Sequence, residues 1–140
     1  MRVGIAPGLA LIGLVALAGA ATAQEKAFTI ELNDAQDIGG GCRLVYVATN
    51  DTGVALKKAS YDVFTFKSDG KVGQSLVFQF GAFPVGKTKV VQFDLAGQPC
   101  SGLSRLLVND VTECQADGDN QTICMDALKT TTRTAIGFGI

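Results

Sequence analysis

Short runs rich in Val, Phe, Tyr, Leu and Thr recur between residues 27 and 138, and most of them alternate apolar with polar positions. In the first run, Phe28, Ile30 and Leu32 share one face, which is the pattern of a strand with one buried side. In the second run both faces are apolar, which favours a central strand. No helical periodicity interrupts the series. The pattern predicts seven strands, at about 27–33, 43–50, 59–67, 75–80, 88–95, 104–112 and 127–138.

Sequences typical of tight turns separate these runs. They include Asn50-Asp51-Thr52-Gly53, Asp69-Gly70 and Phe83-Pro84-Val85-Gly86, which suit chain reversals between consecutive antiparallel strands. Short strands joined in this way predict an all-β fold, an antiparallel immunoglobulin-like sandwich of about seven strands. An antibody-type domain is not favoured, because the chain has no Trp and its cysteines lie at the ends of predicted strands.

The first 23 residues differ from the rest of the chain. Arg2 is followed by 21 uncharged and mostly apolar residues, ending in small residues of the kind that a signal peptidase recognises. We therefore predict a signal peptide at 1–23, cleavage between Ala23 and Gln24, and a β-sandwich domain at 24–140. The alternative is an uncleaved membrane anchor, because a run of this length could span a bilayer. Cleavage would leave a periplasmic or secreted protein, and the short basic start is typical of bacteria.

The size and charge of the remaining chain narrow the choice of partners. Removing 23 of 140 residues leaves 117, which suits one domain with a single core. The chain has 12 basic and 13 acidic residues, so the loss of Arg2 leaves 11 against 13 and a formal charge of −2. Without a basic excess or cluster, nucleic acid is not expected as a partner. No second apolar run of spanning length follows, so no membrane association is expected after cleavage.

Four cysteines follow the predicted signal peptide, and an even number in an oxidising compartment predicts two disulfides. If successive strands alternate in direction, Cys42 and Cys100 lie at one end of the sandwich and Cys114 and Cys124 at the other. We therefore predict the pairs Cys42–Cys100 and Cys114–Cys124, with Cys42–Cys114 and Cys100–Cys124 as the alternative. A zinc site or a redox-active pair is less favoured, because the closely spaced cysteines of such sites are missing.

The absence of histidine limits the chemistry that this chain can support. Without it, the usual general base near neutral pH is missing, and neither a Ser-His nor a Cys-His catalytic pair can form. Paired carboxylates could instead support glycoside hydrolysis. The candidates, which lie in or near predicted strands, are Asp62, Asp94, Asp110 and Glu113. Structural pairing with Lys or Arg is the preferred interpretation of these residues, and no cofactor is predicted.

Two short motifs in predicted turns suggest ligands or modification. Asp117 and Asp119 have the spacing that begins a calcium-binding loop, but Gln121 would be a poor third ligand and the expected terminal Glu is absent. An ordinary polar turn is therefore favoured over a calcium site. Asn50 and Asn120 each begin an Asn-x-Thr sequence that matches an N-glycosylation signal, and both also suit turns.

The aromatic residues are concentrated between Tyr61 and Phe93, where they could form a ligand groove or a core. A core is favoured, because every predicted strand needs a buried inner face. The exposed edge of the first or the last strand could accept a strand from a partner. Lys129 and Arg133 on the last strand could instead protect that edge from association.

Several segments carry a resemblance to known proteins. The segments CRLVYVATN at 42–50, YDV at 61–63, VQFDL at 91–95 and LLVN at 106–109, with the turn ending at Gly86, resemble small exported bacterial proteins of unknown function. The region 44–95 also resembles, more loosely, immunoglobulin-like modules of the FxLYD type, which share the Asn-ended strand and the Asp-Gly and Pro-Val-Gly turns. The four cysteines depart from the FxLYD pattern. The resemblances imply an exported sandwich without an assigned activity, catalytic residue or cofactor.

The sequence thus predicts a non-enzymatic, disulfide-linked sandwich that is exported to the periplasm or secreted. Its predicted role is protein binding or envelope assembly through a sheet edge. Two alternatives stay open, a carboxylate-based hydrolase acting on envelope glycan and a calcium-dependent adhesion module.

Overall fold

The computed structural model describes residues 3–4 and 18–140. Most of the predicted signal peptide, residues 1–2 and 5–17, therefore lies outside the described residues. Among the residues that are described, no helix is long and apolar enough to cross a membrane.

The described chain is mostly strand and has almost no helix, so the all-β prediction is confirmed. Two short helical segments occur, a 3₁₀ turn at Cys100–Gly102 and a helix, α1, at Ile123–Asp126. The strands are β1 (Ala27–Asp37), β2 (Cys42–Asp51), β3 (Leu56–Lys67), β4 (Val72–Phe83), β5 (Thr88–Leu95), β6 (Leu103–Gln115), β7 (Leu128–Thr132) and β8 (Gly137–Gly139).

The predicted last strand at 127–138 is wrong, because the chain turns inside it and forms two strands, giving eight in place of about seven. Threonine hydroxyls make this turn. The backbone N–H of Thr134 donates to Thr132 Oγ1 (3.1 Å), and Thr132 Oγ1 donates to the Ile136 carbonyl (2.9 Å). Such local bonds compete with the strand ladder and bend the backbone. Alternation of apolar and polar residues cannot reveal this competition.

The strands form two four-stranded sheets that pack face to face. The first has the order β5-β2-β1-β7 and the second has the order β4-β3-β6-β8. Two pairings are parallel, β1 with β7 and β6 with β8, so the prediction of a purely antiparallel fold is wrong. After the threonine turn the chain crosses to the other sheet, and β8 runs beside the start of β6, where Arg105 pairs with Gly137.

The space between the sheets is filled by aromatic side chains, as the core interpretation of the aromatic cluster requires. Tyr46 on β2 lies 5.8 Å from both Phe78 and Phe80 of the opposite sheet, measured between ring centroids. Phe78 and Phe93 stack in parallel at 4.2 Å. These contacts bury the inner face of each sheet, which is the main source of stability for a sandwich.

Two disulfides close opposite ends of the sandwich. They join Cys42 to Cys100 and Cys114 to Cys124, the pairing favoured by strand order. At the first end, the backbone N–H of Cys100 donates to Asp37 Oδ1 (3.0 Å). At the second end, the Tyr61 hydroxyl donates to the Cys124 carbonyl (2.8 Å), which ties α1 to the core.

Removing either disulfide is expected to destabilise the fold, and the long-range bridge should matter more. The bridged cysteines are 58 residues apart in Cys42–Cys100 and 10 apart in Cys114–Cys124. Chain entropy then predicts losses of about 4 and about 3 kcal/mol for the two paired Cys→Ala variants. Urea unfolding followed by far-ultraviolet circular dichroism measures both losses. A larger loss of unfolding free energy on removal of Cys114–Cys124 would contradict the conclusion that Cys42–Cys100 is the more stabilising disulfide.

Candidate functional site

The carboxylates proposed for hydrolysis are divided between the two sheets. Asp94 lies on β5 of the first sheet, whereas Asp62 and Asp110 are paired residues on β3 and β6 of the second. Asp62 accepts hydrogen bonds from Ser75 Oγ on β4 (2.9 Å) and from Asn109 Nδ2 on β6 (3.0 Å). Both of its oxygens therefore connect neighbouring strands, but they do so through the neutral donors Ser75 and Asn109 and not through the Lys or Arg partner that the sequence favoured.

Glu113 lines a shallow polar depression on the outer face of the second sheet. This depression has a volume of about 310 Å³ and is lined by Lys58, Ala59, Ser60, Gln79, Gly81 and Glu113. Ser60 is buried, and its hydroxyl lies 2.6 Å from Thr112 Oγ1 and 3.3 Å from Glu113 Oε2. The Lys58 ammonium lies 3.6 Å from the other oxygen of Glu113. The polar groups of the depression therefore bind one another.

The two aspartates of the candidate calcium loop lie in the turn between β6 and α1. The Asp117 carboxylate contacts the Lys57 ammonium at 2.6 Å. Lys57 therefore balances the charge that a calcium ion would otherwise balance. The Asp119 carbonyl accepts the backbone N–H of Ala116 (2.9 Å) and closes the turn. No group of three or more metal-binding side chains occurs in residues 3–4 and 18–140.

Asn50, one of the two possible glycosylation sites, is fully buried. Its amide Nδ2 donates to the carbonyls of Val54 and Phe83, each at 2.8 Å. Its Oδ1 accepts the hydroxyl of Thr52 at 2.7 Å. The side chain therefore fastens the β2–β3 turn to the end of β4, a structural role that the sequence motif concealed.

The outer strands of the sheets differ from those expected to bind a partner. β1 is an inner strand because β7 pairs with it, so the expectation that it forms an edge is wrong. β7 is an edge, and its Lys129 ammonium contacts Glu25 at 2.6 Å. Arg133 follows β7, and its backbone N–H donates to the Leu32 carbonyl (2.9 Å). The other edges are β5, β4 and β8.

The edge formed by β4 is protected along only one part. Lys89, on β5, donates from Nζ to the carbonyls of Phe80 (2.8 Å) and Ala82 (2.9 Å). Its ammonium also lies 4.4 Å from the centre of the Phe83 ring. The remaining segment, Val72–Gln79, is here called the open edge; it contains no charged residue, and its only strand partner in the described chain is β3.

An exposed ion pair sits on the other sheet. Arg43 and Asp94 occupy paired positions on β2 and β5, and two hydrogen bonds of 2.8 and 2.9 Å join the guanidinium to the carboxylate. These hydrogen bonds, together with the favourable charge interaction, lower the pKa of Asp94 below its ordinary value and raise the pKa of Arg43. The pair therefore stabilises the ionised form of Asp94.

The Arg43→Gln variant should raise the pKa of Asp94 towards its ordinary value of 3.8. Because the folded-state pKa is lowered, the ion pair contributes to stability above the unfolded-state pKa, and this contribution is lost as the pH falls through the folded-state pKa. Carboxyl carbon shifts measured by NMR between about pH 2 and pH 6 follow the titration.

The matched control is Lys129→Gln, because Lys129 holds the pKa of Glu25 below its ordinary value in the same way. That variant should raise the pKa of Glu25 and leave the pKa of Asp94 unchanged. An unchanged Asp94 pKa in Arg43→Gln would show that the guanidinium does not hold the carboxylate in solution.

Comparison of this chain with protein-family models, with curated proteins and with solved structures finds no match.

Proposed function

We propose that this protein is an exported, immunoglobulin-like module that works without catalysis, by binding or assembling proteins of the cell envelope through a sheet edge. The observation that carries this proposal is the open edge of β4. An unpaired strand presents a row of N–H and C=O groups, and another extended strand can satisfy them. The apolar side chain of Val77 projects from this segment and is 55% exposed.

The strand order supports the immunoglobulin-like part of the proposal. In immunoglobulin nomenclature, β5-β2-β1 corresponds to strands E, B and A, and β4-β3-β6 corresponds to C′, C and F. The two parallel pairings at the other side of the sandwich depart from that scheme. The correspondence therefore covers six strands, which include the one with the open edge.

The two disulfides support export. Disulfides form and persist in secreted and periplasmic proteins, whereas the cytosol keeps thiols reduced. All four cysteines are paired in the described chain. The apolar segment that precedes Gln24 has the sequence features of a signal peptide, so this segment and the disulfides both support a compartment outside the cytosol.

A photo-crosslinking amino acid at position 77, in cells that make the protein, should give one discrete adduct in the envelope fraction. The reason is that Val77 lies on the edge that we assign to binding. The matched control is position 90 on β5, because Val90 is also an exposed apolar residue on an edge strand, at 63% exposure. Gel mobility and mass spectrometry of the adducts give the measurement.

Position 90 should give only background, since β5 presents its edge beside charged residues. Equal yields at positions 77 and 90, or no discrete adduct at position 77, would contradict the assignment of binding to β4.

A further inference from the structure

The four edge strands are not equally protected against association. β5 carries Lys89 and Asp94, and β7 carries Lys129, whereas β8 has only three residues. Charged residues and short length are the usual means by which proteins block edge-to-edge pairing. β4 has neither, because it is twelve residues long and contains no charged residue and no proline.

Lys89 shows where pairing along β4 is blocked. Its ammonium donates hydrogen bonds to the carbonyls of Phe80 and Ala82, so these carbonyls are not free to accept hydrogen bonds from an added strand. The open edge, Val72–Gln79, lies beyond this block. A strand that pairs with β4 is therefore confined to about eight residues, whose middle lies at Ser75 and Leu76.

We propose that the occupant of the open edge is a second copy of this chain, with the two β4 strands antiparallel around a two-fold axis at Leu76. This inference rests on the proposed function and names the partner at the same site. Two constraints limit the register to a centre near the middle of the open edge, and a centre at Leu76 is chosen because it brings the apolar Leu76 side chains of both copies together. Residues that face outwards must oppose residues that face outwards, and the Lys89 block excludes registers centred nearer to Phe80. Each Val77 then lies opposite Ser75 of the other copy, and the two Leu76 side chains meet.

The chemistry of the open edge is compatible with pairing between two identical strands. Identical strands repel one another when they carry charge, because the two-fold axis brings like charges together. The open edge is uncharged, and the formal charge of the chain without the predicted signal peptide is only −2, so charge repulsion between two copies is weak. Leu76 is half-buried against the core and Val77 is largely exposed on the outer face. Pairing of the two β4 strands would therefore cover apolar surface on both faces of the sheet.

The expected product is an eight-stranded sheet, formed from the second sheet of each copy. About seven residues of each strand would pair, over a length of about 23 Å. An interface of one strand pair lies at the small end of specific interfaces. We therefore expect a reversible dimer, whose population depends on protein concentration.

Sedimentation equilibrium of the purified, disulfide-intact protein tests this proposal. The unsubstituted protein should associate to a dimer in a concentration-dependent manner. Val77→Lys should weaken that association roughly tenfold or more, because the two-fold axis places the two lysines diagonally across the strand pair on the same face of the sheet. Val77→Glu should do the same, and an equimolar mixture of the two variants should recover dimerisation through attraction between opposite charges.

The matched control is Val90→Lys, which places the same charge at an exposed valine on β5 and should leave the association constant unchanged. Circular dichroism of each variant verifies that the sandwich is folded, and recovery in the mixture shows that neither substitution acts by unfolding. An unsubstituted protein that stays monomeric, a mixture that stays monomeric, or an equal effect of Val90→Lys would overturn the proposal.

These outcomes also separate this inference from the proposed function. If the protein is monomeric while position 77 crosslinks to a different envelope protein, the inference fails and the proposed function stands. If the protein is monomeric and position 77 gives no adduct, both fail. An adduct with twice the mass of the chain, found together with recovery in the charge-swap mixture, supports both.

Discussion

The aromatic layer between the sheets is the interaction on which the rest of the structure depends. Tyr46 reaches from β2 across the sandwich and contacts Phe78, Phe80 and Phe138 of the opposite sheet. Strands within one sheet are held by backbone hydrogen bonds, whereas the two sheets are held together mainly by side-chain packing, with a few hydrogen bonds such as those of Lys89 and Asn50. The two disulfides reinforce the ends of this arrangement, and the layer between them fixes the distance and the angle of the sheets.

Because side chains fill the space between the sheets, a binding site is expected on the outer faces or at the edges of the sheets. Asp62 and Asn50 use their polar atoms to connect strands and turns, and the groups around Glu113 bind one another. The edges differ from this pattern, since Lys89 bonds to part of β4 and the outer edge of the remaining segment has no strand partner in the described chain. A sandwich with the open edge of β4 is suited to strand pairing. In strand pairing, backbone hydrogen bonds provide the affinity and the neighbouring side chains determine which partners can bind.

The sequence allowed the first six strands, the buried face of β1 and the preferred disulfide pairs to be predicted, because these follow from alternation and from strand direction. It did not allow the last two strands to be predicted. Their separation depends on hydroxyl-to-backbone bonds of Thr132 and Thr134, which alternate as strand residues do. The sequence also did not allow the division of β4 into a blocked part and the open edge to be predicted. The contacts of Lys89 that block β4 join different sheets and form only in the folded sandwich.

The two tyrosines of the chain test most directly how the aromatic layer accommodates their buried hydroxyl groups. The Tyr61 hydroxyl is hydrogen-bonded to the Cys124 carbonyl, whereas the Tyr46 hydroxyl is buried without a partner among the described residues. Burial raises the pKa of both hydroxyls. Urea unfolding should therefore show Tyr46→Phe more stable by about 1 kcal/mol and Tyr61→Phe less stable by about 1 kcal/mol. A loss of stability in Tyr46→Phe equal to that in Tyr61→Phe would contradict the account.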